Sequence, residues 1–156
     1  MTAQTLLDSR EIVLPDAAAT LALGARLGAQ LARGDVVCLR GGLGAGKTTL
    51  ARGAIEAWTG EAQEAPSPTY TLVQTYDGAR GQLWHVDLYR LKRVEEAWEL
   101  GLGDAFADAA CLIEWPERLD SMLPRDRLDI ALETQGEARR ARLNGRGKWG
   151  ARVGSI

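Results

Sequence analysis

Between residues 41 and 48 the chain reads Gly-Gly-Leu-Gly-Ala-Gly-Lys-Thr, with glycine at positions 41, 42, 44 and 46 and a lysine and a hydroxyl residue directly after. Glycine so dense weakens any helix or strand by roughly 0.5–1 kcal/mol per residue relative to Ala, so this stretch is a loop. A glycine loop of this kind gathers backbone N–H groups around an anion when it runs into the start of a helix, because the helix dipole adds to the same site. That geometry places demands on the flanks, and both are met. Val36-Val37-Cys38-Leu39 is a continuous apolar run that reads as a buried parallel strand. After Lys47, the residues Leu50, Ala54 and Trp58 share one helical face, and Gly60 stops that helix.

The spacing of Gly41, Gly46, Lys47 and Thr48 satisfies G-x-x-x-x-G-K-[ST], which average residue usage would produce by chance in about one chain in two hundred of this length. A phosphate-binding reading therefore outweighs a structural glycine turn. Gly42 and Gly44 let the backbone curl without Cβ clashes, Lys47 reaches the β- and γ-phosphates, and the Thr48 hydroxyl ligates Mg²⁺. The nucleotide cradle is expected to comprise Gly42, Leu43, Gly44, Ala45, Gly46, Lys47, Thr48 and Thr49, with ATP·Mg²⁺ as its ligand. Adenine is favoured over guanine because no Asn-Lys-x-Asp base reader is present.

A phosphate loop also needs an acid beside the metal, at the carboxyl end of a neighbouring apolar strand. Asp87 ends Leu83-Trp84-His85-Val86, and Glu114 ends Ala110-Cys111-Leu112-Ile113; by pattern alone the two rank equally. His85 interrupts an apolar run and reads as structural, not as a proton carrier.

The rest of the chain supports an α/β reading. Glu11–Leu14 is a short strand closed by Pro15; Asp16 caps a helix over residues 17–33 with a Leu23, Leu27, Leu31 stripe. Strands are expected over Tyr70–Tyr76 and Leu83–Leu88 with a turn at Asp77-Gly78, and helical periodicity returns at Val94, Trp98 and Leu100. Leu128, Ile130 and Leu132, a Gln135-Gly136 turn, then Ala141 and Leu143 predict a C-terminal hairpin. The expected fold is a P-loop NTPase-like sandwich with a mixed, partly parallel sheet, one domain over residues 1–156. Cys38 and Cys111 lie in apolar runs and read as buried thiols.

The net charge of −2 argues against a chain whose whole surface is a nucleic-acid or membrane footprint. Residues 136–156 nonetheless carry six Arg and Lys against Glu137 alone, which is +5 and leaves −7 for the remainder. Residues 146–156 are accordingly expected to form a basic, solvated tail, with an electrostatic partner contact as the alternative. Met1–Arg10 lacks the basic start and apolar core of a signal peptide, and no apolar run approaches a membrane span, so a cytoplasmic location is expected.

Three further segments follow the glycine loop in order: Ser67-Pro68-Thr69-Tyr70-Thr71-Leu72, His85-Val86-Asp87-Leu88-Tyr89-Arg90-Leu91 and Ile113-Glu114-Trp115-Pro116-Glu117. Together they closely resemble the bacterial TsaE family, the ATPases of tRNA threonylcarbamoyladenosine biosynthesis, over roughly residues 10–145. The resemblance implies that Ser67-Pro68-Thr69 is a switch-like loop whose Thr69 hydroxyl approaches the γ-phosphate and Mg²⁺. It assigns the metal-supporting acid to Asp87, and to Glu114 with Trp115 a second acidic site where the carboxylate holds the metal's water shell or orients the attacking water. Trp115 joins the nucleotide-binding residues on the same ground, so the catalytic set becomes Lys47, Thr69, Asp87 and Glu114, and the metal set Thr48, Asp87 and Glu114. Tyr89 and Arg90 read equally as shaping a partner-facing surface or as salt bridging within the fold. Hydrolysis is expected to be slow in the isolated chain, because the Ser67-Pro68-Thr69 loop offers no arginine to the transferring phosphoryl group; by the same resemblance it drives or resets a complex with TsaB- and TsaD-like proteins, with tRNA engaged indirectly through that complex. A small-molecule or nucleotide kinase is the alternative, with Arg118, Arg125 and Arg127 as lid arginines; a non-hydrolysing nucleotide-binding module is a third reading.

Overall fold

The computed structural model describes residues 8–62 and 64–156. The expectation about the extreme N-terminus falls mostly on residues 1–7, outside that set. Among the described residues no helix is long and apolar enough to cross a membrane.

Seven strands form one mixed sheet: β1 (Ser9–Leu14), β2 (Val36–Arg40), β3 (Val73–Gly78), β4 (Gly81–Asp87), β5 (Ala110–Glu114), β6 (Arg127–Gln135) and β7 (Ala138–Arg146). Their order is β1-β7-β6-β2-β5-β4-β3. The central strands β4, β5, β2 and β6 run parallel, and β1, β7 and β3 add antiparallel edges. The expected C-terminal hairpin is β6–β7, turning at Gly136.

Alternation along the strands splits the core in two. Val37, Leu39, Leu112, Leu128 and Ile130 face α1 (Ala17–Gln30) and α2 (Lys47–Thr59), while Val36, Cys38, Cys111 and Ile113 face α3 (Val94–Glu99) and α4 (Leu102–Asp108). Both cysteines are wholly buried, and burial pushes their thiols up to about 12, which makes them inert packing residues. The α1 stripe of Leu23, Leu27 and Leu31 is buried, each side chain adding about 1.5–3 kcal/mol of burial. Asp16 caps α1, accepting from the Ala19 N–H at 2.8 Å.

Where α1 crosses α2 the two backbones nearly touch. A methyl added at Gly24 would lie 2.1 Å from the Leu50 carbonyl oxygen, one at Gly28 would lie 2.3 Å from that of Ala54, and one at Gly53 would lie 2.2 Å from that of Leu21. Three glycines therefore set how closely α2, the helix that opens at Lys47, is held to the body.

Several expectations need correction. The first helix ends at Gln30 and not Arg33, because Leu31 turns to an extended backbone while keeping its side chain in the core. Strand β3 starts at Val73, not Tyr70: the Leu72 N–H closes a turn onto the Pro68 carbonyl at 2.7 Å, and Leu72 takes a left-handed φ of 68°. The following reversal lies at residues 79–80, since Gly78 pairs with Gly81. The helical stretch after Arg93 divides into α3 and α4 at Gly101, whose φ is 88°.

The segment expected as a solvated basic tail is packed. Gly147–Ala151 and Val153–Ser155 form 3₁₀ turns that put Trp149, Val153 and Ile156 into the α1-side core. Arg152 lies over the Trp149 ring and pairs with Asp35 at 2.7 Å, locking the segment to the start of β2. Arg146 pairs with buried Asp129 at 2.7 Å, together with Arg40 and Arg127 at 3.2 Å each. The basic residues had masked an apolar stripe.

Candidate functional site

The glycine loop joins the carboxyl end of β2 to the N-terminus of α2, at the edge where the parallel strands β4 and β5 also end. Gly41, Gly44 and Gly46 have φ of 146°, 76° and 105°, values that a side chain disfavours. Methyls at Gly42 and Gly44 would meet nothing within 4 Å among the described residues, so the loop's outer wall is open to a ligand.

A cleft of about 340 Å³ lies against this loop. Its walls contain Leu43, Gly44, Ala45, Gly46, Lys47, Thr48 and Thr49 from the loop, and Thr69, Asp87, Glu114 and Trp115 from the other elements. All the sequence-predicted site residues except Gly42 therefore meet here; Gly42 offers its carbonyl to Lys47 Nζ at 3.4 Å.

The acids are placed by register. Asp87 is opposite Glu114 across the parallel β4–β5 pair, both 3% exposed, so two carboxylates end adjacent strands on the α2 side. Thr48, in the first turn of α2, directs its hydroxyl at both Glu114 oxygens, 3.3 Å each. Thr69 donates to Asp87 Oδ2 at 3.0 Å, and the Ser67 hydroxyl donates to the same oxygen. Asp87 Oδ1 accepts from the Tyr89 N–H at 2.9 Å, which fixes the carboxylate as the strand turns away.

Lys47 is buried, with Nζ donating to the Gly41 carbonyl and sitting 3.7 Å from the Trp115 ring centroid. Burial pulls its pKa below the ordinary lysine value, opposed by Glu114, Glu117 and Asp87. Trp115 holds this position through a left-handed backbone (φ 59°) and stacks against Tyr89 with centroids 4.9 Å apart. Tyr89 thus lines the cleft and is not solely an outer-surface residue, while Arg90 lies over the exposed Tyr70 ring at 4.4 Å.

Three members of the arrangement were named in the sequence reading but not placed among the catalytic, nucleotide or metal residues. Ser67 bonds Asp87 and reaches Glu114 Oε2 at 3.4 Å; Tyr89 supports Trp115; His85 Nε2 meets Glu114 Oε2 at 2.7 Å. The signal for Ser67 was its place in the Ser67-Pro68-Thr69 loop, and for His85 and Tyr89 it was their alternation with Asp87 along one stretch of chain.

Among the described residues no group of three or more His, Cys, Asp and Glu converges on a metal-sized point. The donors that do converge are two carboxylates and the hydroxyls of Thr48, Ser67 and Thr69, all hard oxygens. Such a set suits Mg²⁺, which is held by one or two carboxylates, water and a ligand's phosphates. Behind the loop, a second cleft of about 210 Å³ shares Gly44, Gly46 and Thr49 with the first and is closed by Asp16, Thr20, Glu137 and Arg139.

A glycine loop between the central parallel strand and its helix, with acids at the ends of the neighbouring strands, defines a protein of P-loop architecture. The family model described as threonylcarbamoyl adenosine biosynthesis protein TsaE matches residues 14–142, and the chain belongs to that family. Similar proteins named tRNA threonylcarbamoyladenosine biosynthesis protein TsaE occur in Rickettsia bellii, 36% identical across 90% of this chain and 92% of that one. Another, from Bacillus subtilis, is 38% identical across 74% and 73%. The crystal structure of Bacillus subtilis YdiB superposes with a TM-score of 0.75 at 30% identity, covering 89% of this chain and 86% of that one.

Proposed function

We propose that this chain binds and hydrolyses ATP with Mg²⁺, as the nucleotide-driven component of tRNA threonylcarbamoyladenosine synthesis. The observation that carries this reading is the convergence of the glycine loop, Lys47, Thr48, Asp87 and Glu114 on one cleft. The loop's N–H groups and the start of α2 would hold the β- and γ-phosphates, and Lys47 would leave its loop carbonyls for a phosphate oxygen. Thr48, Asp87 and Glu114 would hold Mg²⁺, which when bound neutralises phosphate charge. Thr69, which bonds Asp87, would answer the presence or loss of the terminal phosphate, and Glu114 would hold the metal's water shell or orient the attacking water. The nucleoside would occupy the second cleft, which continues from the loop's other side.

The cleft lining offers Lys47 as its one cation among the described residues. P-loop proteins that lack a positioned arginine lose roughly 10³–10⁵ in rate, so hydrolysis should be slow until a partner supplies the missing charge or geometry. TsaB- and TsaD-like proteins are the proposed partners, with tRNA engaged through that complex and the cytoplasm as its location. The kinase alternative loses support because Arg118, Arg125 and Arg127 line neither cleft, and Arg127 is tied to Asp129 and the Pro124 carbonyl.

The test measures phosphate release by the purified chain, with the partner pair added, and again with Thr69→Ala. Slow release that the partners raise, with the rise lost in Thr69→Ala, supports the reading; a fast basal rate indifferent to partners sinks it. Lys47→Ala should abolish nucleotide binding, and unchanged affinity would remove the phosphate-loop assignment.

A further inference from the structure

The two oxygens of Glu114 are bound unequally. Among the described residues Oε1 is met only by the Thr48 hydroxyl, at 3.3 Å, whereas Oε2 takes Thr48 at 3.3 Å, Ser67 at 3.4 Å and His85 Nε2 at 2.7 Å. Strand register produces the last contact: His85 lies on the same face of β4 as Asp87, one step deeper, opposite Leu112. Its ring is wholly buried. Because Nε2 faces a carboxylate, an acceptor, the ring hydrogen sits on Nε2 and is donated to Oε2.

The other ring nitrogen tells why a histidine stands here. His85 Nδ1 is buried with no hydrogen-bond partner among the described residues. Neighbouring inward positions on this side are Leu83 and Leu112, and an aliphatic residue would fill the space without an unpaired nitrogen. Packing alone therefore disfavours histidine, and the Nε2 bond to Glu114 is what remains to account for it.

We propose that His85 is a positioning residue for Glu114. Its Nε2–H commits Oε2, so that Oε1, which His85 and Ser67 do not reach, is left as the acceptor for the cation's water shell. His85 itself does not line the cleft, so it acts only through Glu114. The inference rests on the ATP·Mg²⁺ reading of the cleft. Groups that orient a ligating side chain from behind typically change metal affinity 10–100-fold when removed.

The experiment titrates a fluorescent non-hydrolysable ATP analogue into the full chain, with Mg²⁺ and with chelator, and takes the ratio of the two affinities. The proteins are wild type, His85→Leu, His85→Gln, Glu114→Gln and the double variant that combines His85→Leu with Glu114→Gln. The expected result is unchanged metal-free affinity in His85→Leu with the Mg²⁺ ratio down about 10–100-fold. His85→Gln, whose amide N–H also donates, should recover much of it, and His85→Leu should add little once Glu114→Gln is present. A His85→Leu protein with the wild-type ratio, an equal loss with and without Mg²⁺, or full additivity with Glu114→Gln would each overturn the proposal. Should His85→Leu fail to fold, His85→Asn serves, since its shorter amide falls short of Oε2 and must lower the ratio where His85→Gln does not. A wild type that shows no nucleotide binding or no Mg²⁺ effect would instead defeat the reading of the cleft itself.

Discussion

Substituting alanine for Gly24 separates two physical effects that point in opposite directions. Helix propensity alone predicts a gain of about 1 kcal/mol, because glycine in a helix interior costs that much relative to alanine. Geometry predicts a loss, for the new methyl would sit 2.1 Å from the Leu50 carbonyl oxygen. Carbon–oxygen contacts between helices settle near ~3.4 Å, so α1 and α2 must part by about 1.3 Å. The obstructing atom is backbone and cannot swing aside. Forcing a methylene-sized group into a packed interior costs about 1–3 kcal/mol, and this site belongs at the top of that range. The net expectation is a loss of about 2 kcal/mol, or roughly 4–8 °C in Tm for a chain of this size. Because α2 opens at Lys47, the same displacement carries Thr48 away from Glu114, and hydrolysis should fall by up to about 10²-fold. Thermal unfolding followed by circular dichroism decides the sign. A Gly24→Ala protein more stable than wild type would refute the close-contact argument.

Asp87→Asn should weaken Mg²⁺-dependent hydrolysis far more than metal-free nucleotide binding, since an amide cannot neutralise a cation; a larger loss from Glu114→Gln in the same assay would reverse the ranking of the two acids. Burial holds the Lys47 pKa below its ordinary 10.5, so its charge is lost earlier as pH rises, and nucleotide affinity should start to fall below that pH. A binding profile flat to pH 10.5, followed by Trp115 fluorescence, would contradict this. Burial pushes Asp129 up, but the Arg146 hydrogen bond with Arg40 and Arg127 outweighs it, and the carboxyl ends below its ordinary 3.8. Its stabilising effect is therefore full above the unfolded-state pKa and is lost as pH falls through the lower folded value. Asp129→Ala should cost about 2–3 kcal/mol at pH 7 in urea unfolding, with the gap to wild type closing only below about pH 4.

Features carried by local chemistry were readable in advance. The Val36–Leu39 run, the glycine spacing and the Leu50–Trp58 face each state their conformation within a few residues, and the loop formed between strand and helix accordingly. The terminal hairpin was equally explicit, because period-two alternation flanks its turn. What stayed hidden depends on partners remote in sequence. Gly24 and Gly28 look like weak points in a helix until α2 is laid against them. Trp149, Val153 and Ile156 were obscured by the arginines between and around them, although their spacing matches successive short turns. Leu72 carries no signal for a left-handed backbone, so extending β3 back to Tyr70 was the natural error. His85 read as structural because nothing local revealed that Glu114 would lie beside it.

Glu114 draws its contacts from residues 66, 47 and 29 positions earlier in the chain, at Thr48, Ser67 and His85. Synthesis from the N-terminus therefore delivers the glycine loop long before the carboxylate that completes the cleft. Until β5 and β6 have paired in parallel with β2, the glycine loop has no neighbouring strand to anchor it and no acid opposite Thr48. Parallel pairings of this kind close long loops and form slowly. The loop's early synthesis thus does not amount to a working site, and a nascent or truncated chain ending before residue 110 would lack both strands that flank β2 as well as the carboxylate that faces Thr48. Assembly of the parallel core and maturation of the site are one event, so a nucleotide that needs both halves would favour the folded chain by mass action.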